Sequence, residues 1–145
     1  MAIEYSIRIP PKEAFFQLFQ TTGWNEEYQL RLDQLYEALQ HSWDAVSALD
    51  DGRLVGFGRV IADGVLHALI VDMIVLPSHQ NRGIGRAILN RLVERCRASG
   101  IRDIQLFCAR GKSGFYERCG FLARPEDAPG MECKRPEVTP QTVLR

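Results

Sequence analysis

The sequence predicts a single mixed α/β domain, a sheet flanked by helices, and three stretches carry that reading. Ile3, Tyr5, Ile7 and Ile9 alternate with polar residues, the period-two pattern of a half-buried strand. Residues 68–76 are almost continuously apolar and stop at Pro77, as expected of a central strand buried on both faces. Between Gly83 and Gly100 the apolar Ile84, Ile88, Leu89, Leu92, Val93 and Cys96 share one helical face. Arg86, Asn90, Arg91, Glu94 and Arg95 take the other face, so this helix is expected to lie on the sheet. A chain of 145 residues buries roughly 70% of the surface it exposes when unfolded, enough for a core without staples.

The remaining elements follow in chain order. Pro11 suits the first position of a helix whose face is Phe15, Leu18 and Phe19 and which Gly23 interrupts. Leu32, Leu35, Tyr36 and Leu39 predict a second helix up to about His41, so two helices precede the main sheet. Residues 45–49 and 53–61 read as strands joined by Asp50-Asp51-Gly52, turn chemistry that tolerates positive φ. After the long helix come a strand at 104–108, a short helix at 114–119, and a hairpin-like pair from 121–124 and 131–134. Neither a repeat nor a second domain is visible. The domain is expected over residues 1–135. A polar tail, or an arm serving a homodimer, is expected over 136–145, where Pro136 and Pro140 leave little to pack.

Lys plus Arg and Asp plus Glu both total 18, so the formal charge is zero and any charged ligand must meet a local patch. No basic excess advertises nucleic acid. No run approaches the roughly 18 consecutive apolar residues of a membrane span, and the first ten residues lack a basic region followed by an apolar one. The sequence therefore predicts a cytoplasmic protein with neither nucleic acid nor membrane as partner. Cys96, Cys108, Cys119 and Cys133 contain no Cys-x-x-Cys pair and are expected as free thiols, without a disulfide or a metal.

The chemistry is concentrated at Gln80-Asn81-Arg82-Gly83-Ile84-Gly85, between the buried strand and the amphipathic helix. A loop there exposes backbone N–H groups at the positive end of the helix dipole, and glycines let a phosphate come close. A dinucleotide fingerprint fails, because its third glycine would fall at Ile88. A P-loop ending in Gly111-Lys112-Ser113 fails too, because its first glycine would fall at Leu106.

These residues, taken with Val75-Leu76-Pro77 before them and Phe115-Tyr116-x-x-x-Gly120-Phe121 after them, resemble the GNAT superfamily of N-acetyltransferases in order and spacing. Gly23-Trp24, residues 54–60, Asp63-Gly64 and Pro129-Gly130-Met131 are similar to its small bacterial members. The resemblance implies a mostly antiparallel central sheet splayed between its fourth and fifth strands. It further implies acetyl-CoA as cosubstrate, its pantetheine arm pairing with the backbone of Ile74, Val75 and Leu76. Gln80, Asn81, Arg82, Gly83, Ile84, Gly85 and Arg86 would take the pyrophosphate. Ala109 stands where many members carry asparagine, leaving Arg110 or Lys112 to compensate electrostatically.

Within that frame Tyr116 is expected to protonate the departing thiolate. Asp72 interrupts an apolar run, where a carboxylate is costly unless paired or facing a cleft, and it is expected to bind or deprotonate the amine. Trp24, Tyr28 and Asp72, with acids nearby in loops, would form the acceptor pocket for a small cationic or arylalkyl amine. A protein amino group is the competing acceptor, and a non-catalytic coenzyme-binding regulator is the reading outside the enzyme class.

Overall fold

Five strands form one sheet in chain order: β1 (Ile3–Ser6), β2 (Asp44–Asp50), β3 (Arg53–Ala62), β4 (His67–Val75) and β5 (Asp103–Leu106). The structure, a computed structural model, describes residues 2–136. The first four strands pair antiparallel, and β4 pairs parallel with β5. Around the sheet lie α1 (Lys12–Gln20), α2 (Asn25–Tyr28), α3 (Leu32–Gln40), α4 (Ile84–Ala98) and α5 (Ser113–Arg118). This is the mixed, mostly antiparallel architecture the sequence predicts. A parallel pair needs a crossover, and α4 supplies it. Asp51 and Gly52 both have positive φ, 49° and 81°, the two-residue turn whose twist matches the β2–β3 hairpin.

Successive residues of β3 face opposite sides of the sheet. Phe57 meets Phe15 of α1 edge-on, with ring centroids 4.7 Å apart. Gly56 and Gly58 face the other side, where α4 lies. A Cβ on Gly58 would come within 2.6 Å of the Met73 sulfur and 2.9 Å of Ile88, so glycine is what lets α4 approach the strand. That helix buries Ile84, Ile88, Leu89, Leu92 and Cys96, and each large apolar side chain contributes about 1.5–3 kcal/mol.

The first strand stops at Ser6 instead of continuing to Ile9. Ser6, paired with Ser47, ends the ladder, the Ser6 hydroxyl accepts the Arg8 N–H at 3.1 Å, and Ile7 is left 79% exposed. Three helices, not two, precede β2. The additional one, α2, is closed by Asn25, whose side chain hydrogen-bonds the Leu30 carbonyl at 3.0 Å and the Leu30 N–H at 2.8 Å. The hairpin expected from 121–124 and 131–134 does not form. Its connection is a turn in which the Ala128 N–H donates to Pro125 and Arg124 Nε donates to Ala128, both at 2.9 Å. Leu122 and Met131 are 92% and 84% exposed, so neither segment buries an apolar face that would fix a register. Apart from Pro136, the tail expected at 136–145 lies outside the described residues.

Two irregularities in β4 prepare the site. Its ladder with β5 ends where Ile70 faces Leu106, so the rest of β4 diverges from β5 as the splay requires. Against β3, Ile74 faces Phe57 but Val71 faces Arg59. Asp72 and Met73 therefore oppose the single Gly58, a bulge with Asp72 at φ 56°.

Candidate active site

Beyond Val75 the chain makes a 3-10 turn, Pro77–His79, and enters α4 through residues 80–83. Asn81 and Gly83 are left-handed, with φ 63° and 81°. Gly83 caps α4 with no side-chain hydrogen bond. The amides of the first turn lack partners within the helix, and at the positive end of the helix dipole they favour an anion.

These residues line a cleft of about 610 Å³ where β4 and β5 part. Its wall includes Gln80, Asn81 and Gly83 from the loop, Ile84, Gly85 and Arg86 from the helix start, and Ile74 and Val75 from β4. Lys112, Tyr116 and Trp24 complete the set that the sequence singled out and the fold brings together. Leu76, Arg82, Asp72 and Tyr28 lie outside this wall.

Backbone pairing distinguishes the three β4 positions expected to hold an extended ligand. The Leu76 N–H donates to the Val55 carbonyl at 2.8 Å, and Leu76 is buried. In an antiparallel ladder this pairing also turns the groups of Ile74 toward β3 and those of Val75 away from it, into the splay. Only Val75 presents its backbone to the cleft, and its carbonyl accepts the Gln80 side-chain amide at 3.1 Å. The Leu76 N–H is thereby committed to the sheet and its side chain to the core.

Tyr116, on α5, stacks edge-on against Phe115 and Phe121, with ring centroids 5.0 and 6.1 Å away. Burial, with smaller contributions from the Cys108 and Cys119 thiols, pushes its phenol above the usual value, so the hydroxyl keeps its proton through neutral pH. Among the described residues that hydroxyl makes no hydrogen bond.

The two acceptor residues expected beyond Trp24 are otherwise engaged. Asp72 accepts from Arg59 Nε at 2.6 Å, the two side chains being 23% and 12% exposed. The same guanidinium donates to the Ala38 carbonyl at 3.1 Å. Tyr28 is 52% exposed and lies under the Arg135 guanidinium, 5.9 Å from its ring centroid, while Arg135 pairs with Glu27.

Other wall residues carried weaker signals. Thr21 and Thr22 follow α1, and their hydroxyls donate to the carbonyls of Leu18 and Phe19 at 2.6 and 2.7 Å. Arg118 folds back over Gly114, where a Cβ would sit 3.3 Å from its Nη1. His79, a loop histidine beside the motif, is buried in the wall.

The wall fits coenzyme A in two respects. Arg86, Lys112 and Arg118 bring three cations to the cleft for its phosphates. Gly85 keeps open a passage that a side chain would fill, since its Cβ would meet Phe115 at 3.4 Å and Val75 at 3.6 Å.

The model of the Acetyltransferase (GNAT) family matches residues 12–121. Serotonin N-acetyltransferase 2, chloroplastic, from Oryza sativa subsp. japonica is 35% identical over 119 residues, covering 81% of this chain and 60% of that protein. GCN5-related N-acetyltransferase 1, chloroplastic, from Arabidopsis thaliana is 39% identical over 97 residues, 65% of this chain and 49% of that protein. The chain thus spans half to three fifths of these relatives' lengths. Among solved structures, a GNAT family acetyltransferase from Streptococcus pneumoniae TIGR4 superposes with a TM-score of 0.79 at 28% identity, covering 94% of this chain and 100% of its own. Both plant relatives are named chloroplastic, which overturns the cytoplasmic expectation. That expectation rested on a missing secretion signal, and the lack of one address does not assign another.

Proposed function

The chain belongs to the GNAT acetyltransferase family, and on that premise we propose that it moves an acetyl group from acetyl-CoA to the primary amine of an arylalkyl amine by direct attack. One observation carries the reading: a single cleft joins the open amides of α4, three cations and the protonated Tyr116 phenol. The loop and helix start, residues 80–86, would hold the pyrophosphate. The Val75 backbone would pair with the pantetheine arm as a further strand would. Acetyl-CoA, when bound, supplies an acyl group already activated as a thioester. The walls would hold amine and carbonyl at reacting distance; as the C–N bond forms and the C–S bond breaks, Tyr116 would give its proton to the departing sulfur, and the proton lost by the nitrogen would pass to solvent, from which the phenol is reprotonated.

The charge of the wall supports the acceptor class. Among the described residues lining the cleft there is no carboxylate, whereas three cations are present. A polyamine would find no carboxylate there to pair with its second charge. A monoamine carrying a flat ring would find Trp24, which packs edge-on against Phe19 with centroids 5.8 Å apart, and the Thr21 and Thr22 turn. The name of the rice relative, a serotonin N-acetyltransferase, supports the same class.

The test is a panel of tryptamine, phenylethylamine and serotonin against spermidine and a lysine peptide, following release of the CoA thiol. Arylalkyl amines should exceed spermidine in kcat/KM by at least about tenfold, equivalent to ~1.4 kcal/mol in the transition state. Turnover of the peptide alone would assign the acceptor to proteins instead.

A further inference from the structure

His79 sits where the cleft wall becomes the phosphate loop, and both of its ring nitrogens are engaged. Nε2 donates to Asp50 Oδ2 at 2.8 Å, and Nδ1 shares a hydrogen bond with the Ser78 hydroxyl at 2.7 Å. Neither ring nitrogen is left open to the cleft. Its carboxylate partner is the last residue of β2, paired in the sheet with Ile3 on one side and Arg53 on the other. One end of the contact is thus fixed in the β2–β3 hairpin. The other end is the residue immediately before Gln80, whose side chain ties the loop to the Val75 carbonyl at 3.1 Å. The loop enters α4 through left-handed Asn81 and Gly83, and Gly83 provides no side-chain cap. The direction in which the helix amides face a phosphate therefore depends on where the loop begins.

We propose that His79, held by Asp50, is a positioning residue for this loop: the contact sets the presentation of the α4 amides to the donor's pyrophosphate. The inference rests on the reading above, that acetyl-CoA occupies the cleft with its pyrophosphate at residues 80–86. It makes a distinction that a packing role does not. Loss of the contact weakens donors that carry a pyrophosphate and leaves a phosphate-free thioester unaffected.

The experiment compares acetyl-CoA with S-acetylpantetheine. In His79→Phe, which keeps the ring's bulk and burial but removes both nitrogens, the KM for acetyl-CoA should rise about tenfold, equal to ~1.4 kcal/mol of binding. The KM for S-acetylpantetheine, and kcat with either donor, should stay within about twofold, since no group touching the reacting atoms is altered. His79→Gln, whose amide still donates to Asp50, should recover most of the loss. Should His79→Phe not fold, Asp50→Ala breaks the same contact from its more exposed side and should give the same donor-selective shift. Equal loss with both donors, or an unchanged KM for acetyl-CoA, overturns the inference. A wild-type protein with equal KM for the two donors would instead overturn the pyrophosphate reading on which it rests.

Discussion

Replacing Asp72 separates two roles for the carboxylate, base or builder of the bulge. Without the extra residue at 72–73 the register seen at Arg59–Val71 would continue, pairing Val75 with Val55 through hydrogen bonds and turning the Val75 N–H into the sheet. The bulge reverses that phase and points Val75 into the splay. Asp72 supports it twice, by adopting φ 56°, which aspartate tolerates better than most residues, and by its 2.6 Å pair with Arg59. Removing one partner of a buried pair costs about 3–5 kcal/mol. Asp72 is 23% exposed, and asparagine retains an acceptor, so Asp72→Asn should lose about 1–3 kcal/mol in a urea titration. Its kcat should fall less than about tenfold, whereas loss of a general base would remove on the order of 10²–10⁴. Asp72→Gly and Asp72→Ala both lack the carboxylate, but only alanine strains the left-handed position, by roughly 1–2 kcal/mol. Glycine should therefore retain more turnover than alanine. Equal inactivity of two well-folded Gly and Ala variants would restore Asp72 as a base.

The loop proposed to hold the pyrophosphate was legible as a loop and helix start because it is local: six consecutive residues, Gln80 to Gly85, carry both the glycines and the start of an amphipathic face. The bulge was not. A strand that is apolar at nearly every position has no alternation to interrupt, so an inserted residue leaves no break in the pattern of residues 68–76. Its one trace was Asp72 itself, and a carboxylate in an apolar run announces a partner without saying whether that partner is a substrate or Arg59. The partner of His79 was unreadable for a related reason, since Asp50 lies 29 positions away in the β2–β3 hairpin. The hairpin-like pair expected at 121–134 failed in the opposite direction. Local sequence states that a strand can form there, but only a neighbouring face to bury decides that it does, and Leu122 and Met131 have none.

Gly85→Leu should leave the fold as stable as the wild type or more so, since leucine is the better helix former by about 0.5–1 kcal/mol. It should nonetheless raise the CoA dissociation constant at least about tenfold by filling the passage between Phe115 and Val75; unchanged affinity in calorimetry would remove the cleft from the donor site. Tyr116→Phe should lower kcat with little change in CoA affinity, because the ring contacts with Phe115 and Phe121 survive and no hydrogen bond of the hydroxyl is lost. Burial lifts the phenol above its usual value, and so further above that of the departing thiol, which makes full proton transfer uphill. The loss should consequently lie near the lower end of the range for general acids, on the order of a hundredfold. The raised value also keeps the acid form available across neutral pH, so its contribution to kcat should disappear only as pH climbs above about 10. A wild-type kcat that fell on an alkaline limb near pH 8, with that limb absent from Tyr116→Phe, would show a phenol ionising far too early and refute the assignment of burial as its controlling influence.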